Sequence, residues 1–294
     1  GGPYRMTFAA MPIAPIAGQV TELTERLTHS ANDEPVRDLQ ILHERVIHNF
    51  IVSLDFSHFA HIHHEDFDHI IASDLARASF HFPYTFPANG AYRIASEFTH
   101  RDRSWTKHFD IQVGKPSNPT QVVINLGREK IMHGYQATLS VSPTIPVAGF
   151  ETEMVLELMR NQQPVTDLAL LLGSEIHVAL WRIDGRHFGH THAYTPHMAA
   201  MMAKMHDRSV DPAKRAKAMT QMMIDMMNEP AELVFTGPRI PMRYVFSEPG
   251  TYAIFLHCAP AGQPQVFDFM IEVVAYRDGM NTRINSPGEP AHQA

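Results

Sequence analysis

The chain has 294 residues, 44% of them apolar, a single cysteine and a formal net charge of −7 at pH 7. The acidic balance speaks against nucleic-acid binding, which needs a basic surface. One cysteine excludes an intrachain disulfide and a thiolate-cluster metal site, and no apolar run reaches the roughly 18 residues of a transmembrane helix.

In chain order, the opening "GGPYRM" resembles a processed end, which leaves room for a removed signal peptide. The stretches 46–54 ("VIHNFIVSL"), 90–98 ("GAYRIASEF") and 107–113 ("KHFDIQV") are short and rich in β-branched and aromatic residues. Turn formers such as "PANG" separate them, so they are predicted strands of a first unit, residues 4–114. Residues 115–134 are expected to be a linker, with "TQVVINLGREKIMHG" as an extra strand that bridges two domains. A second unit, residues 135–276, repeats the pattern with "EIHVALWRI", "GTYAIFLH" and "VFDFMIEVV". The polar, Pro- and Gly-containing end, 277–294, is expected to be a loose tail.

The repetition is direct. His48, Asp55, His58, Phe59, His61 and His63 become His177, Asp184, His187, Phe188, His190 and His192 on adding 129. "PIAGQVTELTERL" from Pro15 returns as "PVAGFETEMVLEL" from Pro146, and "FPANGAYRI" from Phe86 as "FSEPGTYAI" from Phe246. Two copies of one unit, each with several short strands, point to an all-β protein of two tandem immunoglobulin-like β-sandwiches. The tyrosine after each glycine turn, Tyr92 and Tyr252, suits a packing corner.

Each unit carries a histidine hairpin. If Asp55 pairs with His58, the side chains of His48, His61 and His63 share one strand face, with His63 opposite Phe50 and diagonal to His48. The same arithmetic gathers His177, His190 and His192. Three imidazoles on a rigid hairpin suit copper, zinc, iron or nickel. Asp55 and Asp184 read either as caps of turn amides, the reading preferred here, or as a metal ligand or the partner that fixes a ligand's ring nitrogen. His58 and His187 face the other way. His64, His69, His81, His100 and His108 share no spacing and read as surface residues.

"IHNFIVSLDFSHFAHIH" followed by "FPANGAYRI" resembles the small exported β-sandwich proteins of YtkA-like type, in two tandem copies. Those proteins place a His before an apolar strand, an Asp in the turn, Phe-x-His-x-His, and a later Phe-x-x-x-Gly-x-Tyr strand. The resemblance covers most of residues 4–275. It implies a secreted or periplasmic setting and copper or heavy-metal handling. The chain departs from the pattern at His64 and Ala193, where Pro commonly follows the last His, and in a long insertion.

That insertion, 197–230, holds nine methionines, among them Met198, Met201, Met202 and Met205 at helical spacing. Two short helices are expected, with Asp211 and Pro212 starting the second. Their thioethers either pack on the sandwich or offer soft ligands for Cu(I), and the face could also dock a protein partner. Cys258, beside His257, is expected to be buried and inert. No phosphate loop, nucleophile elbow or His-Glu-x-x-His motif occurs, and no residue is assigned a catalytic role.

The sequence thus reads as a metal-binding protein, with copper preferred and zinc the alternative, that captures, stores or transfers the ion. The candidate ligands are His48, His61, His63, His177, His190, His192, Met198 and Met201. An adhesion or assembly module with structural histidines is one alternative. A copper-dependent redox enzyme is another, and would need an open coordination position.

Overall fold

The computed structural model describes residues 2–42, 44–115, 121–194 and 237–276. The insertion at 197–230, with Met198 and Met201, lies outside the described residues, as do residues 116–120 of the expected linker and the tail.

The first unit contains β1 (Tyr4–Met11), β2 (Val20–His29), β3 (Leu39–Gln40), β4 (Ile47–Ser53), β5 (Phe59–Ile62), the short helix α1 (Ala72–Arg77), β6 (Ser79–Thr85), β7 (Gly90–His100) and β8 (Arg103–Val113). The second contains β9 (Glu129–Met132), β10 (Tyr135–Ser142), β11 (Glu151–Arg160), β12 (Gln163–Pro164), β13 (Leu168–Ala169), β14 (His177–Arg182), β15 (Phe188–His192), β16 (Arg239–Val245), β17 (Gly250–Pro260) and β18 (Gln265–Val273). The protein is all-β, and its strand pairs are antiparallel.

One order of pairing serves both units. In the first, β1–β2–β6 form one sheet, and β7 lies between β8 on one side and β3 and β4 on the other, with β5 outside β4. In the second, β10–β11–β16 form the first sheet, and β17 lies between β18 and the pair β13 and β14, with β15 outside β14. The second unit adds β9 and β12. Among the described residues β9 pairs with β10 alone, so it widens the second unit's own sheet and makes no hydrogen-bonded bridge between units.

Alternation explains the cores. In β11 the side chains of Thr152, Met154, Leu156 and Leu158 point inward between charged or half-buried neighbours, and they meet Val178, Leu180, Ile254 and Phe269 from the facing sheet. Tyr92 and Tyr252 close matching corners, each hydroxyl donating to a carbonyl four residues upstream, Ala88 and Glu248, at 2.9 Å.

β4 departs from simple alternation because it is buried on both faces. Ile47 and Ile51 enter the core of their own unit, while Phe50 and Val52 face the other unit. There they join Phe56 and Ala95 in one apolar cluster with Ala179, Trp181, Ala253, Phe255 and Met270. The sheet of β4 and β7 and the sheet of β14 and β17 therefore pack outer face to outer face. Burying side chains of this size contributes about 1.5–3 kcal/mol each. Val122, from the connecting segment, packs against the same cluster. The histidines belong to this internal face.

Two expectations are corrected. His64 and His100 are 3% and 2% exposed, not surface residues. His64 lies against the backbone of His81, and the ring of His100 meets the Tyr4 hydroxyl, so each finds a polar partner inside.

Candidate metal centre

The hairpin turns set the register. Ser53 and His58 close the first loop, with the Ser53 N–H donating to the His58 carbonyl at 3.0 Å; Arg182 and His187 do the same in the second unit at 3.0 Å. Four residues lie between the closing pair, where the sequence suggested two. The extra length is accommodated by a left-handed residue in each loop, Phe56 (φ 61°) and Gly185 (φ 70°). Asp55 accepts from the Ser57 N–H and the Ser53 and Ser57 hydroxyls, and these bonds hold its carboxyl below the usual range although burial opposes them. Asp184 accepts from the Arg186 N–H and pairs with Arg182, which holds its carboxyl down at about 2. Both aspartates are turn caps.

The longer loop moves the register by two, which preserves parity. Phe50 faces His61 and Asn49 faces Ile62, so the next step brings His63 opposite His48 and not diagonal to it. In the second unit His177 pairs directly with His192 and Ala179 with His190. Among the described residues, two groups place three ligand atoms within 4.8 Å of one another: His48, His61 and His63, and His177, His190 and His192. Met198 and Met201 fall outside the described residues.

Hydrogen bonds on the far side of the rings decide what the first triad presents. His48 Nε2–H donates to the Leu42 carbonyl at 2.8 Å, and His63 Nδ1–H donates to the Asp66 carboxylate at 2.9 Å. Carbonyl and carboxylate only accept, so the nitrogens turned inward, His48 Nδ1 and His63 Nε2, carry lone pairs. His61 Nε2 meets them at 3.2 and 3.0 Å, and His48 Nδ1 and His63 Nε2 are 3.1 Å apart. One proton cannot satisfy three such contacts. The buried His61 Nδ1 has no hydrogen-bond partner. Burial, and then the neighbouring imidazoles His63, His177, His48 and His190, hold His61 well below the ordinary imidazole range. Burial also lowers His63, though Asp66 opposes it. Neutral imidazoles are the metal-binding form.

The triangle fits an ion. Edges near 3.1 Å put the centre about 1.8 Å from each corner, so an ion roughly 1 Å out of the plane meets every nitrogen at about 2.0–2.1 Å, the zinc–imidazole bond length.

The second triad is oriented in the same way. His177 Nε2–H donates to the Leu171 carbonyl at 2.8 Å, turning Nδ1 toward His192 Nε2 at 3.0 Å. The carbonyls of Leu42 and Leu171 lie in equivalent two-residue turns, closed by Arg45 and Ser174 and passing through left-handed Glu44 and Gly173. His190 Nδ1–H donates to Glu97 Oε2 at 2.7 Å, which leaves the buried His190 Nε2 without a hydrogen-bond partner. Glu97 comes from the first unit. Nothing local in the chain indicates that Glu97 meets a histidine 93 residues away.

The remaining candidates stay apart from the triads. His187 pairs with Glu248 at 2.9 Å. Cys258 is buried in the second unit's core, and burial pushes its thiol up to about 12, so it is an inert core residue.

No helix among the described residues is long and apolar enough to cross a membrane. No curated protein matches the sequence. Among solved structures, the fold is similar to invasin, a bacterial integrin-binding protein, at 9% identity and a TM-score of 0.24, covering 92% of this chain and 40% of that one. It is similar also to the Escherichia coli adhesin FdeC, at 9% identity and a TM-score of 0.23, covering 92% and 64%. The Yersinia pseudotuberculosis adhesin InvE matches at 8% identity and a TM-score of 0.25, covering 90% and 58%. The chain spans less than two thirds of each of these proteins, and likeness at this level carries no argument about function. Residues 2–115 and 130–275 match the family described as Domain of unknown function (DUF8832), and the chain belongs to that family.

Proposed function

We propose that the protein binds transition-metal ions through its two histidine triads, and that the ion is copper, handled outside the cytoplasm for capture, storage or transfer. The observation that carries the reading is the convergence of His48 Nδ1, His61 Nε2 and His63 Nε2 within 3.2 Å, two of them lone pairs by virtue of the bonds behind them. Three imidazole nitrogens that converge on one point, two of them with fixed tautomers, make a coordination set, and the acceptors behind His48 and His63 raise ligand basicity. Imidazole donors suit copper and zinc alike. The preference for copper, and the setting outside the cytoplasm, rest on the resemblance of the histidine pattern to YtkA-like proteins.

The test is metal analysis of the chain purified without a nickel column, followed by titration with Cu(II) and Zn(II) against a competing chelator. Bound metal that is lost in a His48→Ala, His61→Ala, His63→Ala variant supports the reading. A native chain that binds neither ion overturns it and leaves the histidines structural, as in the adhesion or assembly alternative.

A further inference from the structure

The two triads do not sit at opposite ends of the protein. The ring of His61 lies 5.2 Å from that of His177, His48 lies 5.7 Å from His190, and His61 lies 5.9 Å from His190. Adding 129 to the first number of each pair gives the second number of another, so the contacts are reciprocal about a local two-fold axis that passes between His61 and His190. An interface of this kind repeats each contact on its other side. The apolar cluster under the histidines continues it, with Phe50 against His190 at 4.7 Å and Phe59 stacked on Phe255 at 4.3 Å.

From this geometry we infer that the two triads form one dinuclear metal centre, shared by the two units, in which Glu97 is a positioning residue for His190. The inference rests on the reading of the triads as metal ligands. A ligated imidazole has its ring centre about 3 Å from the ion, so a ring-to-ring contact of 5.2 Å keeps the two ions within about 12 Å of each other. Each ion has three protein ligands, and its fourth comes from water or a small anion.

The centre is unequal. Glu97 and His257 occupy equivalent strand positions, opposite His48 and His177 respectively. Glu97 reaches across to hold His190, whereas His257 faces His61 at 5.8 Å between ring centres. The consequence is visible in the bonds: His190 Nδ1 has a carboxylate acceptor, while His61 Nδ1 and His257 Nδ1 have no hydrogen-bond partner. A carboxylate behind a ligand imidazole orients the ring and strengthens it as a donor. Each half-site has one carboxylate-backed imidazole, His190 with Glu97 and His63 with Asp66, and two dications this close repel, so the second ion binds more weakly than the first.

The experiment uses the full chain loaded stepwise with Cu(II), with bound metal quantified and the electron paramagnetic resonance spectrum recorded at one and two equivalents. Two ions per chain are expected in two separable steps, with dipolar broadening or a half-field transition at two equivalents that is absent at one. In a His61→Ala background, which isolates the half-site of His190, Glu97→Leu should weaken binding about 10–100-fold, and Glu97→Gln, which keeps an acceptor, should recover part of the loss. Folding of both variants is checked by circular dichroism, and His190→Ala should leave one ion with an uncoupled spectrum. Saturation at one ion in the native chain, or two ions with strictly additive spectra, overturns the dinuclear centre while metal binding stands. Unchanged binding by folded Glu97→Leu in the His61→Ala background overturns the role of Glu97. Absence of any bound copper defeats the underlying metal reading instead.

Discussion

Phe59 of the first unit stacks on Phe255 of the second, with ring centres 4.3 Å apart and planes within 5°. This contact ties the two sheets together next to the histidines, and Phe255 is 3% exposed. Phe255→Ala should cost about 3–4 kcal/mol and the half-buried Phe59→Ala somewhat less. A double-mutant cycle by denaturant unfolding should give a coupling of about 1 kcal/mol. Additive losses would mean that the rings do not support each other.

Glu25 makes stability depend on pH. It is fully buried with Asn49 and Ser96, and burial raises its carboxyl to about 7, although both neighbours hydrogen-bond to it. Between about pH 4.5 and 7 the unfolded chain gives up this proton and the folded chain retains it. The Glu25 contribution to stability therefore falls as pH rises through that window, by roughly 3 kcal/mol in all, and is fully present below it. Glu25→Gln should remove this component, read as the difference between the Tm–pH curves of variant and native apo-protein. Parallel curves would place the titration elsewhere.

The second unit shows the apolar solution at the same place, with Leu156, Val178 and Leu256 all buried. A Glu25→Leu, Asn49→Val, Ser96→Leu variant should accordingly be neutral or up to about 4 kcal/mol more stable at pH 8, because an apolar set replaces a buried carboxylate network. Chemical denaturation at that pH measures it, and clear destabilisation would show that the first unit's packing needs the polar trio.

Asp66 stands behind His63 as Glu97 stands behind His190. It accepts from both the side chain and the backbone N–H of His63, at 2.9 Å, and pairs with Arg45 at 3.1 Å. Asp66→Ala should weaken binding at the first triad by about 10–100-fold and leave the other half-site little changed. Competition titration in a His190→Ala background isolates that site.

The corner tyrosine is a stability element. Tyr252→Phe deletes the bond to the Glu248 carbonyl and keeps the ring, so a loss of about 0.5–1.5 kcal/mol is expected, with metal stoichiometry unchanged. Tyr92→Phe should act alike in the first unit.

What the sequence determined by itself was the repeated unit, most of the strands around the hairpins, and the shared face of His48, His61 and His63 and of their partners in the second copy. These are local matters. Side chains alternate with a period of two along a strand, so parity survived even though the loops proved two residues longer than expected and turned a diagonal His48–His63 relation into a direct one. The caps at Asp55 and Asp184 were legible for the same reason, since each acts within a few residues of itself. Tertiary structure alone decided that both faces of β4 are buried, that His64 and His100 lie inside, and that Glu97 meets His190. The meeting of the two triads belongs with these. Such facts depend on how one sheet lies upon another, and that is set by the shape of a whole apolar face, Phe50, Phe59, Trp181 and Phe255 together, whose members come from strands far apart in the chain. No periodicity within one strand encodes which distant strand will cover it.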